Sequence, residues 1–184
     1  MKIRRANPAD ARGISRVHID SWRTTYRGIV AQNYLDGLSY TSREAWWTER
    51  LSLPEFAFVA EDENLRPGES IIGFCAGGTN RSTDDSVYSA QLRSIYILER
   101  YRRRGVGRAL LKSLVGELTE NGFDSMIVWV LEKNPYRAFY EKLGGKYVRN
   151  QDIQIGGFTF EELAFGWSNL KGLLETLNVG TGKE

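Results

Sequence analysis

Arg102-Arg103-Arg104-Gly105-Val106-Gly107-Arg108 is the stretch on which the reading of this 184-residue chain turns. It stands between a run with strand character, Val87–Leu98, and an amphipathic segment, Gly105–Asn121. In that segment Leu110, Leu111, Leu114, Val115 and Leu118 recur on one helical face. A helix N-terminus presents unpaired N–H groups and the positive end of the helix dipole. Glycines there let a ligand approach the backbone closely. Together these features suit a phosphate or a pyrophosphate, and the arginines add attraction and bidentate contacts. No Gly-Lys-Ser/Thr follows, so the turn is not a P-loop. Position 110 is leucine, so the dinucleotide fingerprint lacks its third glycine. The competing reading is a solvated arginine patch beside glycines that only permit a tight turn.

Outward from this turn the chain alternates strands and helices. Toward the N-terminus, Met1–Ala6 reads as an edge strand, and Asn7-Pro8 as an N-cap with proline at the first helical position. Ile14, Val17, Ser21 and Trp22 share a face of the helix that follows, which Thr24–Ile29 breaks. A second helical region, Ala31–Leu51, is interrupted near Gly37–Thr41. Phe56–Glu61 and Ser70–Gly77 read as strands joined by the turn Arg66-Pro67-Gly68, and Gly77–Ser86 as a loop. Toward the C-terminus, Asp124–Leu131 is a strand buried on both faces by its apolar middle. Asn134-Pro135 repeats the cap signal and opens a helix ending at Gly144-Gly145. Lys146–Ile155 and Phe158–Phe165 form a hairpin through Gly156-Gly157, with a bulge expected where the apolar phase slips at Glu161-Glu162. The expectation is a single α/β domain over residues 1–170, with a mixed, splayed sheet of seven strands flanked by helices. Residues 171–184 form a C-terminal tail, frayed over Gly180–Glu184.

Composition narrows the function. Apolar residues make up 41% and charged residues 26%, which is globular. With 25 basic and 23 acidic residues the net charge is +2. That gives no reason to expect a nucleic-acid or membrane partner. The single cysteine, Cys75, excludes an intrachain disulfide and reads as a buried small hydrophobe. The start, Met1-Lys2-Ile3-Arg4-Arg5, has charges with no apolar run after them, and no stretch approaches the ~20 apolar residues that cross a bilayer. A cytoplasmic location is expected. No His, Cys and carboxylate cluster has metal-ligand spacing, so no metal is expected.

With the flanking segments included, the chain resembles the GCN5-related N-acetyltransferase (GNAT) superfamily. Arg102, Gly105 and Gly107 match that family's Arg/Gln-x-x-Gly-x-Gly/Ala loop. Leu92-Arg93-Ser94-Ile95-Tyr96-Ile97 is similar to its fourth strand. Asn134-Pro135-Tyr136-Arg137-Ala138-Phe139-Tyr140-Glu141-Lys142-Leu143-Gly144 is similar to its second cofactor segment. Further similarity lies at Ser21–Gly28 and Glu162–Trp167. The resemblance implies an acyl-CoA N-acyltransferase fold and transfer of an acetyl group from acetyl-CoA directly to a primary amine of a small molecule or peptide. It implies that Ile95, Tyr96 and Ile97 bond to the pantetheine arm and thioester, and that an N–H near Ile97 stabilises the oxyanion. The loop from Arg102 through Arg103, Arg104, Gly105, Val106 and Gly107 to Arg108 would hold the pyrophosphate, and Asn134, Arg137 and Tyr140 would complete the cofactor site. A homodimer through the β-rich C-terminal end is a further implication by analogy.

Several residues carry two readings. The resemblance makes Tyr140 the general acid, a phenol that protonates the departing thiolate. Its periodicity with Tyr136, Phe139 and Leu143 makes it a core residue. Trp22 and Tyr26 lie in the family's substrate-covering region, and they also suit anchoring of the first helix. Trp129 reads as core. Gln91 is a departure, because many relatives carry glutamate there as base or water organiser. A glutamine only orients water or substrate. His18 and Glu99 are the other candidates for proton acceptor, and His18 also reads as a buried, satisfied histidine. The departure motivates a second class of function, a catalytically weak acyl-CoA-binding sensor.

Overall fold

Ile71–Thr79 is apolar or small at every position but the last, and the chain uses it as a strand buried on both faces at the centre of a sheet. In chain order the strands are β1 (Lys2–Arg5), β2 (Phe56–Glu61), β3 (Ile71–Thr79), β4 (Ala90–Ile97), β5 (Met126–Leu131), β6 (Lys146–Ile155) and β7 (Phe158–Trp167). The helices are α1 (Ala11–Thr25), α2 (Gln32–Asp36), α3 (Tyr40–Arg50), α4 (Val106–Glu120), α5 (Ala138–Lys142) and α6 (Leu170–Val179), with 3-10 turns at Pro8–Asp10 and Glu99–Tyr101. This computed structural model describes residues 1–53, 56–66, 68–82 and 84–179. Pro67 of the expected turn, Thr83 of the expected loop and the frayed end Gly180–Glu184 lie outside the described residues.

The seven strands form one sheet in the order β1-β2-β3-β4-β5-β7-β6. Every neighbouring pair is antiparallel except β4 and β5, the strands that α4 connects. The sheet is therefore mixed and open, with helices on both faces. On one face α4 buries Val106, Leu110, Leu111, Leu114, Val115 and Leu118, each 2% exposed or less. A fully buried aliphatic side chain contributes about 1.5–3 kcal/mol, so this stripe is what fixes α4 on the sheet. On the other face α1 and α3 bury Ile14, Val17 and Trp47 against Val59, Ile71 and Phe74. A third cluster, with Tyr26, Val30, Leu35, Leu131 and Ile155, ties α2 to the far strands.

Three local expectations are corrected. The C-terminal tail is a helix over Leu170–Val179, whose Leu170, Leu173 and Leu177 are at most 3% exposed and join the cluster under α4. The leucine spacing i, i+3, i+7 is that of a packed face. The bulge lies in β6, where Val148 and Arg149 fall between the pairs Tyr147–Phe165 and Asn150–Leu163, and pairing is regular through Glu161 and Glu162. The apolar phase of one strand shows that pairing slips, not which partner carries the extra residue. Finally, Asn134 caps a turn, not a helix. Its Oδ1 accepts the Tyr136 N–H at 2.8 Å, and α5 begins only at Ala138. The hairpin at Gly156-Gly157 forms as expected, with φ of 60° and 83° that suit a type I′ turn.

Candidate active site

β4 and β5 pair only through Ala90–Met126, Gln91–Ile127 and Leu92–Val128. Arg93 is a bulge against β3, since Ala76 pairs with Ser94 and Gly77 with Leu92. Beyond it the two parallel strands diverge. The gap is part of a cavity of about 620 Å³ walled by Leu92–Tyr96 of β4, Val128–Leu131 of β5 and Tyr140 of α5. A diverging parallel pair leaves main-chain groups of β4 without strand partners. Leu98 N–H donates to Ile72 O, which fixes the alternation. The N–H groups of Ile95 and Ile97 face the gap, whereas Tyr96 faces Phe74 across β3. The Ile97 carbonyl is already engaged, by Ser21 Oγ at 3.2 Å and Arg102 Nε at 3.0 Å.

The arginine–glycine loop lies at the start of α4. Gly105, its N-cap residue, is left-handed with φ of 76°, and Arg103 is the one described non-glycine residue with positive φ, at 59°. A Cβ on Gly105 would meet nothing within 4 Å, so its glycine is required by conformation. Gly107 is different. A Cβ there would stand 3.1 Å from Ile97 Cδ1, so its glycine lets α4 approach the β4 wall. Among the described residues, the N–H groups of Arg103, Arg104, Gly105, Val106, Gly107 and Arg108 have no acceptor. The first bond of α4 runs from Ala109 to Gly105 O. Six successive free donors at the positive end of a helix give surroundings that favour an anion.

The arginine side chains divide. Arg103 and Arg104 are exposed. Arg102 turns inward: Nε donates to Ile97 O, Nη1 to Tyr136 Oη at 2.9 Å, and Nη2 to the Thr24 and Thr25 hydroxyls at 2.9 and 3.0 Å. Its guanidinium also lies 4.8 Å from the Tyr136 ring centroid. Arg102 thus clamps the end of α1, the exit of β4 and the turn before α5. Arg108 reaches the Thr176 and Leu177 carbonyls at the end of α6. Arg137 donates to Glu132 O and pairs with Glu141 at 3.4 Å.

Tyr140 belongs both to the core and to the cavity wall. It is 8% exposed and contacts Phe139, Phe165 and Trp167, yet it lines the cavity. Its hydroxyl has no hydrogen bond among the described residues. Burial, with a smaller push from Tyr96, holds this phenol above its ordinary pKa. Tyr26 is also buried, and its Oη accepts from Asn134 Nδ2 at 3.1 Å. Trp22 packs edge-on to Tyr26 at 4.8 Å and donates to Tyr96 Oη at 2.9 Å. Trp22 and Tyr26 therefore anchor α1 and wall the cavity at once.

Gln91 lines the cavity near the last paired rung of β4 and β5. His18 does not line it. That ring stacks on Tyr96 at 4.7 Å and accepts the Trp47 indole N–H at 3.2 Å, and burial, with Arg43 adding, lowers its pKa to about 3. Glu99 is exposed and also stands outside the cavity. Trp129, expected in the core, is half-buried and lines the cavity, with the Arg149 guanidinium 4.7 Å from its ring centroid. Sequence reasoning missed Arg93, Arg149 and Glu162, all on this wall. A signal existed for Glu162, a charge in mid-strand on the same face as Phe160 and Ala164. Cys75 is fully buried, donates to Leu110 O and has its pKa raised by burial. Among the described residues no helix is long and apolar enough to cross a membrane.

A splayed parallel pair beside a helix N-terminus with free N–H groups suits an acyl-CoA-binding acyltransferase. The sequence profile of the acetyltransferase (GNAT) family matches residues 17–145, and the chain belongs to that family. It is 40% identical over 176 residues to the uncharacterized N-acetyltransferase YuaI of Bacillus subtilis (strain 168), covering 96% of this chain and 98% of that one. The fold also matches the crystal structure of a ribosomal-protein-alanine N-acetyltransferase from Brucella melitensis. That match has a TM-score of 0.70 at 22% identity, over 91% of this chain and 99% of that one. A PaiA N-acetyltransferase from Thermoplasma acidophilum, solved in complex with coenzyme A, matches with a TM-score of 0.67 at 16% identity, over 91% and 98% of the two chains. The chain is an acetyl-CoA-dependent acetyltransferase of this family.

Proposed function

We propose that the chain transfers the acetyl group of acetyl-CoA directly to a primary amine of a small molecule or a peptide, without an acetyl-enzyme. The observation that carries this reading is the placement of the six free N–H groups of the Arg103–Arg108 turn, which pack against Ile97 at the end of β4, just past the point where β4 and β5 part over the cavity that Tyr140 lines. The turn holds the pyrophosphate, and the gap-facing N–H groups of Ile95 and Ile97 take the pantetheine arm and the thioester oxygen. Asn134 Nδ2, which binds Tyr26 Oη through one proton, keeps a second for the arm. Bound acetyl-CoA supplies an activated acyl carbon at this point.

The side chains of the cavity then do the rest. The Ile97 N–H stabilises the negative oxygen that develops when the amine adds. Tyr140, kept protonated by its burial, donates to the departing sulfur. Cys75 cannot be an acyl carrier, because it lies fully buried under α4 and keeps its proton. Arg102 acts as a positioning residue: its side chain fixes the loop whose main chain binds the phosphates. Release of CoA thiol from acetyl-CoA, followed with a panel of primary amines, tests the proposal. Amine-dependent release with an acetylated amine recovered supports it. Tight acetyl-CoA binding without turnover of any amine overturns it and leaves an acyl-CoA sensor.

A further inference from the structure

Gln91 cannot remove the proton that a primary ammonium must lose before it attacks, and neither His18 nor Glu99 reaches the cavity. One carboxylate on the cavity wall is placed to do so. Glu162 sits on β7 opposite Leu131, the last residue of β5, and opposite Gln151 of β6. Strand alternation puts Glu162, Leu131, Trp129 and Gln91 on one face of the sheet, since Ile127 pairs with Gln91 and alternates with Trp129 and Leu131. Glu162 is half-buried there, and the Gln151 amide donates to its Oε1 at 2.6 Å. That bond aims the carboxylate and leaves Oε2 without a partner among the described residues. The other carboxylate on the wall, Asp85, is 2% exposed and bound through both oxygens to Arg149, at 2.9 and 3.0 Å. It is therefore already neutralised.

We infer that Glu162 is the acceptor carboxylate of this site, a catalytic residue that holds the ammonium of the incoming primary amine and takes one proton from it. The inference rests on the acetyl-transfer reading. The charged and titratable groups that share the cavity wall with Glu162 are Arg149 of β6, already paired with Asp85, Arg93 of β4, and the phenols of Tyr26, Tyr34, Tyr96 and Tyr140. Protons balance. Glu162 takes one from the ammonium and releases it to solvent through the open side of the cavity. The amine lone pair forms the C–N bond as the C–S bond breaks. Tyr140 protonates the sulfur, and the surplus proton on nitrogen returns to the Tyr140 oxygen. A site with this carboxylate selects acceptors that carry a cationic amine and rejects alcohols of the same shape.

Glu162→Gln keeps the shape and the hydrogen bond to Gln151 and removes only the charge and the basicity. With the best amine of the panel, the variant should lose about 100-fold in kcat/KM for the amine at pH 7, as loss of a general base does. Its KM for acetyl-CoA should not change. The deficit should shrink toward pH 10, where a large fraction of the amine is unprotonated in solution. Wild-type kcat/KM across that range would overturn the assignment. A binding measurement decides the matter without turnover. Calorimetric titration of 1,4-diaminobutane into the CoA-bound protein should give a Kd at least tenfold weaker for Glu162→Gln than for wild type. Equal affinity, or no binding to wild type, would refute it. If wild type turns over no amine, the transfer reading fails by itself and the titration still judges Glu162.

Discussion

Tyr140 shows how one residue carries two kinds of work. A phenol packed between Phe139, Phe165 and Trp167 has little freedom, and on the cavity wall its hydroxyl is left without a partner among the described residues. The core position that its spacing predicts and a place on the cavity wall are compatible, because the wall of the cavity is also the edge of the core. Tyr140→Phe should lower kcat by about 10- to 10⁴-fold, the range for loss of a general acid. The affinity for acetyl-CoA measured by calorimetry should stay within twofold. Gln91 and Glu162 show the opposite case. The departure at position 91 was visible, and Glu162 was signalled only as a charge in mid-strand, since it takes the pairing of β7 with β5 and β6 to bring residue 162 into the same hollow. Arg102 is a third case. The family pattern marks the residue, whereas its direction is decided by Tyr136, Thr24 and Thr25, which lie far from it in sequence. Arg102→Gln should weaken CoA binding through a loosened loop. Because its guanidinium faces the protein, the slope of log Kd against log salt should match that of wild type, as titrations at several salt concentrations would show.

At the scale of elements, the start of α4 and the divergence of β4 from β5 make the site together. Gly105 is required by its φ of 76° and Gly107 by the nearness of Ile97 Cδ1, so alanine at the two positions should act differently. Gly105→Ala should cost about 1–2 kcal/mol of stability, the strain of a left-handed alanine. It should also weaken CoA through the displaced N–H groups. Gly107→Ala should press on the β4 wall and affect the acetyl end more than the pyrophosphate. Urea unfolding and CoA titration of the two variants separate these effects. Helix periodicity and the two glycines were legible in the sequence because they are local. The length of the β4–β5 pairing was not, because it depends on the Arg93 bulge and on the partner strand.

At the scale of the whole molecule, the C-terminal helix belongs to the core. Leu173 is 3% exposed under α4, so Leu173→Ala should destabilise the protein by about 2–5 kcal/mol in urea unfolding. The order of strands and helices was readable from patterning over most of the chain. The C-terminal segment was misread because a short leucine-spaced run declares itself a helix only when a partner face exists for it. Acid should also unfold the protein through His18. Its folded pKa of about 3 lies below its unfolded value near 6.5, so the unfolded chain binds the extra proton in that window and stability falls as pH drops through it. His18→Gln should lose less stability between pH 6.5 and pH 4, as urea midpoints at the two pH values would register. The central claim is that the Arg103–Arg108 turn and the β4–β5 gap form one acyl-CoA site. Calorimetric titration of acetyl-CoA into the wild-type protein tests it most directly: the account predicts one site per chain with micromolar or tighter Kd, and absence of binding at micromolar concentration would contradict it.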